Sequence, residues 1–223
     1  SEDGRGFAAR HAEAVFTAHI EKTTAQAFYS DMKKRVAAEG RRPDQVLILP
    51  GLCPTIASTE AEAKRLLLEL SNYADVEIAV KYLGTWFGGH DFSHLPLNRP
   101  LTVADFPDLS NIETSKSRTE MVINLIKREE ITLRELLARF AHIGGHYLFA
   151  GTAEQVADLI EDWFLDGAAD GFNLMPPLLP TMLDIFIDEV VPLLQRRGLF
   201  RTEYQGTTLR EHYGLERPAS VFV

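Results

Sequence analysis

Apolar positions along this chain come in two patterns. Short unbroken runs read as buried strands, and three- and four-residue spacings read as amphipathic helices. The unbroken runs are Ala14-Val15-Phe16-Thr17-Ala18, Val46-Leu47-Ile48-Leu49-Pro50-Gly51 and Gly171-Phe172-Asn173-Leu174-Met175-Pro176. Between them lie helical patterns. One covers 22–39, with Ala27, Phe28, Met32, Val36 and Ala37 on one face and Gly40 as a stop. Others cover 6–12, 58–71, 118–127, 133–141, 151–165 and 183–197. Thr152 followed three positions later by Gln155 is a capping box. Helices alternating with fully apolar strands predict an α/β fold with parallel strands.

The stretch 83–116 breaks this rhythm. It carries Gly88-Gly89, Pro96, Pro100 and Pro107 with little periodicity, and reads as a long insertion or loop. With the two helices after it, the insertion covers about 83–140 of what is otherwise one domain over 1–223.

Composition narrows the partners. The formal net charge is −9, which argues against nucleic acid and anionic membrane surfaces. No apolar run approaches the roughly 20 residues of a membrane span. A single cysteine, Cys53, rules out an internal disulfide and fits a cytoplasmic protein. The first residues, Ser1-Glu2-Asp3-Gly4, are neither a signal peptide nor an initiator methionine, so the chain is expected to start inside a longer product or after a removed segment.

Several segments carry a family resemblance: Gly151-Thr152-Ala153-Glu154-Gln155-Val156, Asp170-Gly171-Phe172-Asn173-Leu174-Met175-Pro176-Pro177, and the run from Val190-Val191-Pro192 to Glu203-Tyr204. Together with Leu49-Pro50-Gly51-Leu52, Gly89-His90-Asp91-Phe92-Ser93 and Thr208-Leu209-Arg210-Glu211-His212, they resemble bacterial luciferase-like monooxygenases of the nitrilotriacetate and dibenzothiophene-sulfone branch. The resemblance implies the C-terminal part of a TIM (β/α)8 barrel, its three strands standing as the sixth, seventh and eighth. It implies an enzyme that uses reduced FMN and O2 to oxygenate a small organic substrate, with FMNH2 supplied by a separate NAD(P)H:flavin reductase. With the preceding strands absent, the chain alone is expected to be inactive. Its open sheet edges invite association, so a homo-oligomer is expected. The competing reading is a non-catalytic half-barrel remnant or binding module.

The resemblance places Ser1, Glu2 and Gly4 at the FMN phosphate. A helix N-terminus offers free N–H groups there, but the same residues also make an ordinary helix cap. Thr17, His19, Pro50, Gly51, Asn173 and Met175 fall at strand C-termini, the face that carries the site in a barrel. His19, Asn173 and Met175 are therefore substrate-pocket candidates, each with a plain packing alternative. Trp86 and Phe92 are expected to pack the insertion onto the barrel mouth and to wall the pocket. His90, Asp91 and His94 lie between Gly89 and Pro96, which disfavours the helix a His-x3-His metal site needs, so no metal is expected. Cys53, without a histidine partner in sequence, reads as an inert buried thiol.

Overall fold

A computed structural model describes residues 1–73, 75–112, 116–140 and 144–220. The expected helix end at Ala141 and part of the expected insertion, 113–115, lie outside the described residues. The elements run α1 (Glu2–His11), β1 (Ala14–Thr17), α2 (Lys22–Ala38), β2 (Leu47–Ile56), α3 (Glu60–Asn72), α4 (Val76–Trp86), α5 (Lys116–Arg128), α6 (Leu133–Phe140), β3 (Tyr147–Gly151), α7 (Ala153–Leu165), β4 (Asn173–Leu174), α8 (Thr181–Ile185), a π-turn (Phe186–Val190), α9 (Val191–Arg196) and α10 (Leu209–His212). None of the described helices is long and apolar enough to cross a membrane.

Among the described residues four strands form one sheet, and every pairing in it is parallel. β2 is the common partner. Its first residues pair with β1 (Ala14 opposite Leu47), its later ones with β3 (Leu52 opposite Tyr147), and Gly51 and Leu52 pair with β4. The strand therefore runs past Pro50-Gly51, where the sequence pattern stopped it. Leu47 N–H donates to Glu13 and Ala57 N–H to Gly151. Strand alternation turns the N–H positions of Pro50 and Pro54 away from those ladders, so neither proline costs a bond there. β3 is an addition to the three expected strands. Its start follows Gly144 and Gly145, both at positive φ, and the glycine pair resembles loop in sequence.

The helices bury the faces that periodicity suggests, with local shifts. In α2 the buried positions are Ala25, Met32 and Val36, whereas the expected Ala27 and Ala37 face solvent. The capping box of α7 forms as read: Thr152 Oγ1 accepts from Gln155 N–H at 3.3 Å and Gln155 Oε1 from Thr152 N–H at 3.0 Å. Residues 79–140 gather a separate apolar cluster on α4, α5 and α6, with Trp86, Phe87, Phe92, Phe106 and Phe140 at its centre. Much of the stretch read as loop is thus packed; α4 in particular runs through position 83.

One polar clamp closes the N-terminal end of the sheet. Asp170 Oδ2 accepts from Lys33 Nζ and from the Ile48 N–H, both at 2.7 Å. Its Oδ1 accepts from the Tyr29 hydroxyl at 2.8 Å, and its own N–H donates to Ile48 O at 2.9 Å. Lys33 also donates to Pro43 O and Val46 O. Burial, then the neighbouring carboxylate, pushes the Tyr29 phenol well above its ordinary pKa. Both acidic oxygens and all three ammonium protons have partners, the condition under which a half-buried charge is tolerated.

Candidate functional site

Further along β2, where β1 and β4 end and β3 begins, polar groups gather that are less completely paired. β1 delivers Phe16 and Thr17. Phe16 is 55% exposed, and its ring stacks on His146 with centroids 4.7 Å apart. Thr17 Oγ1 lies 2.9 Å from His19 Nε2. The His19 ring packs beside Phe28, and the Arg5 guanidinium of α1 lies over that same Phe28 ring, 5.4 Å from its centroid. Burial lowers the His19 pKa to about 4, helped by the positive charge of Arg5 and by His146. Burial likewise lowers His146, against a hydrogen bond to the Thr17 backbone and with a further push from Arg118. Both rings are therefore neutral at pH 7. His146 Nδ1 is buried with no hydrogen-bond partner among the described residues.

Gly51 is the floor of this cluster. A Cβ there would overlap the His146 ring at Nδ1 and come within 2.9 Å of the Met175 sulfur. Only glycine lets the ring lie against the strand. Asn173 stands opposite Gly51 in the β2–β4 register, and its Nδ2 makes a long 3.4 Å contact to Leu49 O. Met175 is fixed by its N–H, which donates to Leu52 O at 2.8 Å. The expected residues Gly51, Asn173 and Met175 thus meet, and His19 joins them through Thr17 and His146.

Sequence reading missed His146. It follows Gly144-Gly145, and nothing in its spacing marks it. The available signal was a histidine directly after paired glycines and directly before an apolar run.

At the start of α1, Ser1 Oγ accepts from Gly4 N–H at 3.1 Å, the ordinary cap. The Glu2 carboxylate is drawn to Arg35 Nη2 at 2.7 Å, which neutralises the acid nearest the helix start. A Cβ at Gly4 would come within 3.0 Å of Ser1 Oγ, so glycine keeps that approach open.

Trp86 and Phe92 sit elsewhere. Trp86 is 3% exposed and Phe92 fully buried, and both belong to the aromatic cluster of the helical segment. Trp86 meets Phe140 edge-on and carries the Arg118 guanidinium over its ring at 5.3 Å. Phe92 backs a separate groove of about 620 Å³, bordered by Lys81, Gly84 and His90. In that groove Asp91 caps Ser93 N–H, and the His90 and His94 rings stand 6.4 Å apart. Among the described residues no three metal-capable side chains converge. Burial pushes the Cys53 thiol up to about 11, far from a thiolate nucleophile at neutral pH.

The comparisons with known proteins complete this picture. A sequence profile described as luciferase-like monooxygenase matches residues 1–170. The chain belongs to that family. It is 44% identical over 220 residues to N-acetyl-S-(2-succino)cysteine monooxygenase of Bacillus subtilis (strain 168), covering 99% of this chain and 49% of that protein. It is 43% identical over 218 residues to nitrilotriacetate monooxygenase component A of Aminobacter aminovorans, covering 98% and 47%. Among solved structures it resembles EDTA monooxygenase from Chelativorans sp. BNC1, with TM-score 0.67, 35% identity, and coverage of 97% of this chain and 49% of that one. The chain spans about half the length of the curated relatives it matches. Its α/β architecture of parallel strands is that of luciferase-like barrels.

Proposed function

We propose that this chain supplies the C-terminal half of a flavin-dependent monooxygenase barrel, within or beside a polypeptide that carries the preceding strands. The observation that supports it is the meeting of His19, Gly51, His146, Asn173 and Met175 where β1 and β4 end and β3 begins, beside the middle of β2, in a luciferase-like chain.

The residues present suit FMN. The Glu2 and Asp3 N–H groups at the start of α1 lack intrahelical partners, Ser1, whose Oγ accepts from the Gly4 N–H, adds a hydroxyl, and Glu2 is neutralised by Arg35. Ser1, Glu2 and Gly4 then form the phosphate end, through the backbone at Glu2 and Gly4. When bound, reduced FMN supplies the reaction with O2, and a separate NAD(P)H:flavin reductase supplies the reduced flavin. The chain's own part is placement. Phe16 and Met175 offer apolar surface that excludes water, neutral His19 and His146 offer hydrogen-bonding nitrogens without charge, and Asn173 offers an amide. A small organic substrate enters on this face. The helical segment over 79–140 acts as the insertion that shapes access to it, in a single domain over 1–223.

The test is oxygenation with reductase, NAD(P)H, FMN and O2. The polypeptide carrying both halves is expected to turn over, and Ser1→Ala to weaken its FMN affinity several-fold. The 223-residue chain by itself is expected to show no turnover; turnover by it alone removes the half-site claim. A two-half protein that neither binds FMN nor oxygenates leaves the non-catalytic reading in place.

A further inference from the structure

Most cations of this acidic chain are matched. Arg5 pairs with Asp31, Arg35 with Asp31 and Glu2, and Arg128 with Glu21. Each of those carboxylates is already engaged. Arg118 differs. It is exposed, and among the described residues no carboxylate pairs with it. Its guanidinium lies 5.3 Å from the Trp86 ring centroid, and Trp86 is in turn held edge-on by Phe140 at 5.4 Å and Tyr82 at 5.6 Å. A planar guanidinium over a fixed indole keeps its donors oriented while remaining in reach of solvent.

The position of Arg118 relative to the strand ends follows from its own helix. Met121, one turn along α5, packs its thioether against the α-carbon of Gly145. Tyr82 approaches Gly144 in the same turn. The next residue is His146, which stacks on Phe16 and faces Gly51. Helix α5 is therefore fastened at the backbone that leads into the His146 cluster, with Arg118 one turn away on the same face. The charge of Arg118 is also felt at His146.

We infer that Arg118 is a specificity residue that receives a carboxylate of the substrate, so that the protein favours small organic acids over neutral molecules. The partner is recognised by its chemistry: a carboxylate matches the guanidinium fork in two parallel hydrogen bonds, and both histidines at the cluster are neutral at pH 7 and do not compete for it. The rest of the acid extends past His146 toward Phe16 and Met175. The inference rests on the strand-end site proposed above.

The test is calorimetric titration of the purified protein with nitrilotriacetate and with its uncharged trimethyl ester in metal-free buffer, FMN binding being measured in parallel. The acid is expected to bind at least ten-fold more tightly than the ester. Arg118→Met is expected to lose ten-fold or more of the acid's affinity and to leave the ester unchanged. Arg118→Lys, which keeps charge without the fork, is expected to recover part of the loss. Arg134→Met, at an arginine bonded to Asn98 on α6, serves as control and is expected to bind the acid as the parent does. Equal binding of acid and ester, no acid binding at millimolar concentration, or an unaffected Arg118→Met overturns the inference. Flavin binding and turnover of neutral substrates without dependence on Arg118 would leave the monooxygenase reading intact while removing this one. Acid binding that depends on Arg118 in a protein without flavin affinity would do the reverse.

Discussion

The start of the sheet and the level at which β1 and β4 end use their polar groups in opposite ways. At the N-terminal end Asp170 accepts from Lys33, Tyr29 and the Ile48 backbone, all within 2.8 Å, and every participant is satisfied. Where β1 and β4 end, His146 Nδ1 is buried and unpartnered among the described residues, Asn173 makes one long contact, and His19 is held neutral by burial. Polar groups committed to the fold have short, complete bonds. Groups kept back for a ligand have spare capacity and shifted pKa values. Asp170 and Asn173 sit three positions apart on one segment, so the contrast is set by which end of the sheet each side chain reaches.

The largest effect that distinguishes the ends is expected at Asp170. Asp170→Ala leaves the half-buried Lys33 ammonium and the Ile48 N–H without their carboxylate. Removing one partner of a buried pair costs about 3–5 kcal/mol, and urea unfolding at pH 7 should show a loss of that order. A loss under about 1 kcal/mol would mean that the clamp is not what holds this end, and the comparison would collapse.

His19 comes next and brings in pH. Its folded pKa of about 4 lies below the ordinary value of 6.5 that an unfolded chain recovers. The unfolded state therefore binds the proton first as pH falls. Stability from keeping His19 neutral is full above about pH 6.5 and is lost progressively down to about pH 4. The two pKa values bound that loss at about 3 kcal/mol. Unfolding midpoints at pH 7 and pH 4.5 should separate by less in His19→Gln than in the parent protein. Identical pH dependence in both would show that the buried histidine is not the group being titrated.

How far the sequence foresaw these two ends differs as well. Strands β1, β2 and β4, the capping box at Thr152 and the placing of Asn173 and Met175 near the end of β4 follow from local pattern, whereas Gly51 lies mid-strand. The pattern works there because an apolar run between turn residues has few other folds. It failed at β3, since Gly144-Gly145 hides a strand start, and at Pro50, where strand alternation turns the missing donor away from the ladders to β1 and β3. It placed Trp86 and Phe92 at a pocket wall; both lie in the aromatic cluster of the helical segment, and Phe92 lines the groove bordered by Lys81, Gly84 and His90. His146 was not legible at all. Its role depends on contacts with Phe16 and Gly51, more than ninety residues away. The Asp170 clamp was equally hidden, because Lys33 and Tyr29 belong to a helix far upstream.

Gly51 sharpens the contrast at the level of packing. Gly51→Ala places a methyl group in the His146 ring and beside Met175. Overpacking of this kind costs about 1–3 kcal/mol. Because the obstruction is the ring, His146→Ala should relieve it, and the two substitutions combined should be less damaging than their sum. A double-mutant cycle in urea measures that coupling. Strict additivity would show that the ring is free to swing aside and that the floor of the cluster is not set by residue 51.

Asn173 carries the smallest stability effect and the most informative one. Its amide makes a single 3.4 Å contact to Leu49 O, at the weak end of hydrogen-bond geometry. Asn173→Ala should therefore cost under about 1 kcal/mol in urea unfolding. If the amide is reserved for a ligand, the same substitution should weaken FMN or substrate binding several-fold while the unfolding midpoint scarcely moves. Asp170→Ala should do the opposite, losing stability with ligand affinity per folded molecule unchanged. Should both variants lose stability alike and neither affect binding, the polar groups at the two ends would serve the fold equally, and the separation of structural from functional ends would fail at the one pair of neighbouring residues best placed to reveal it.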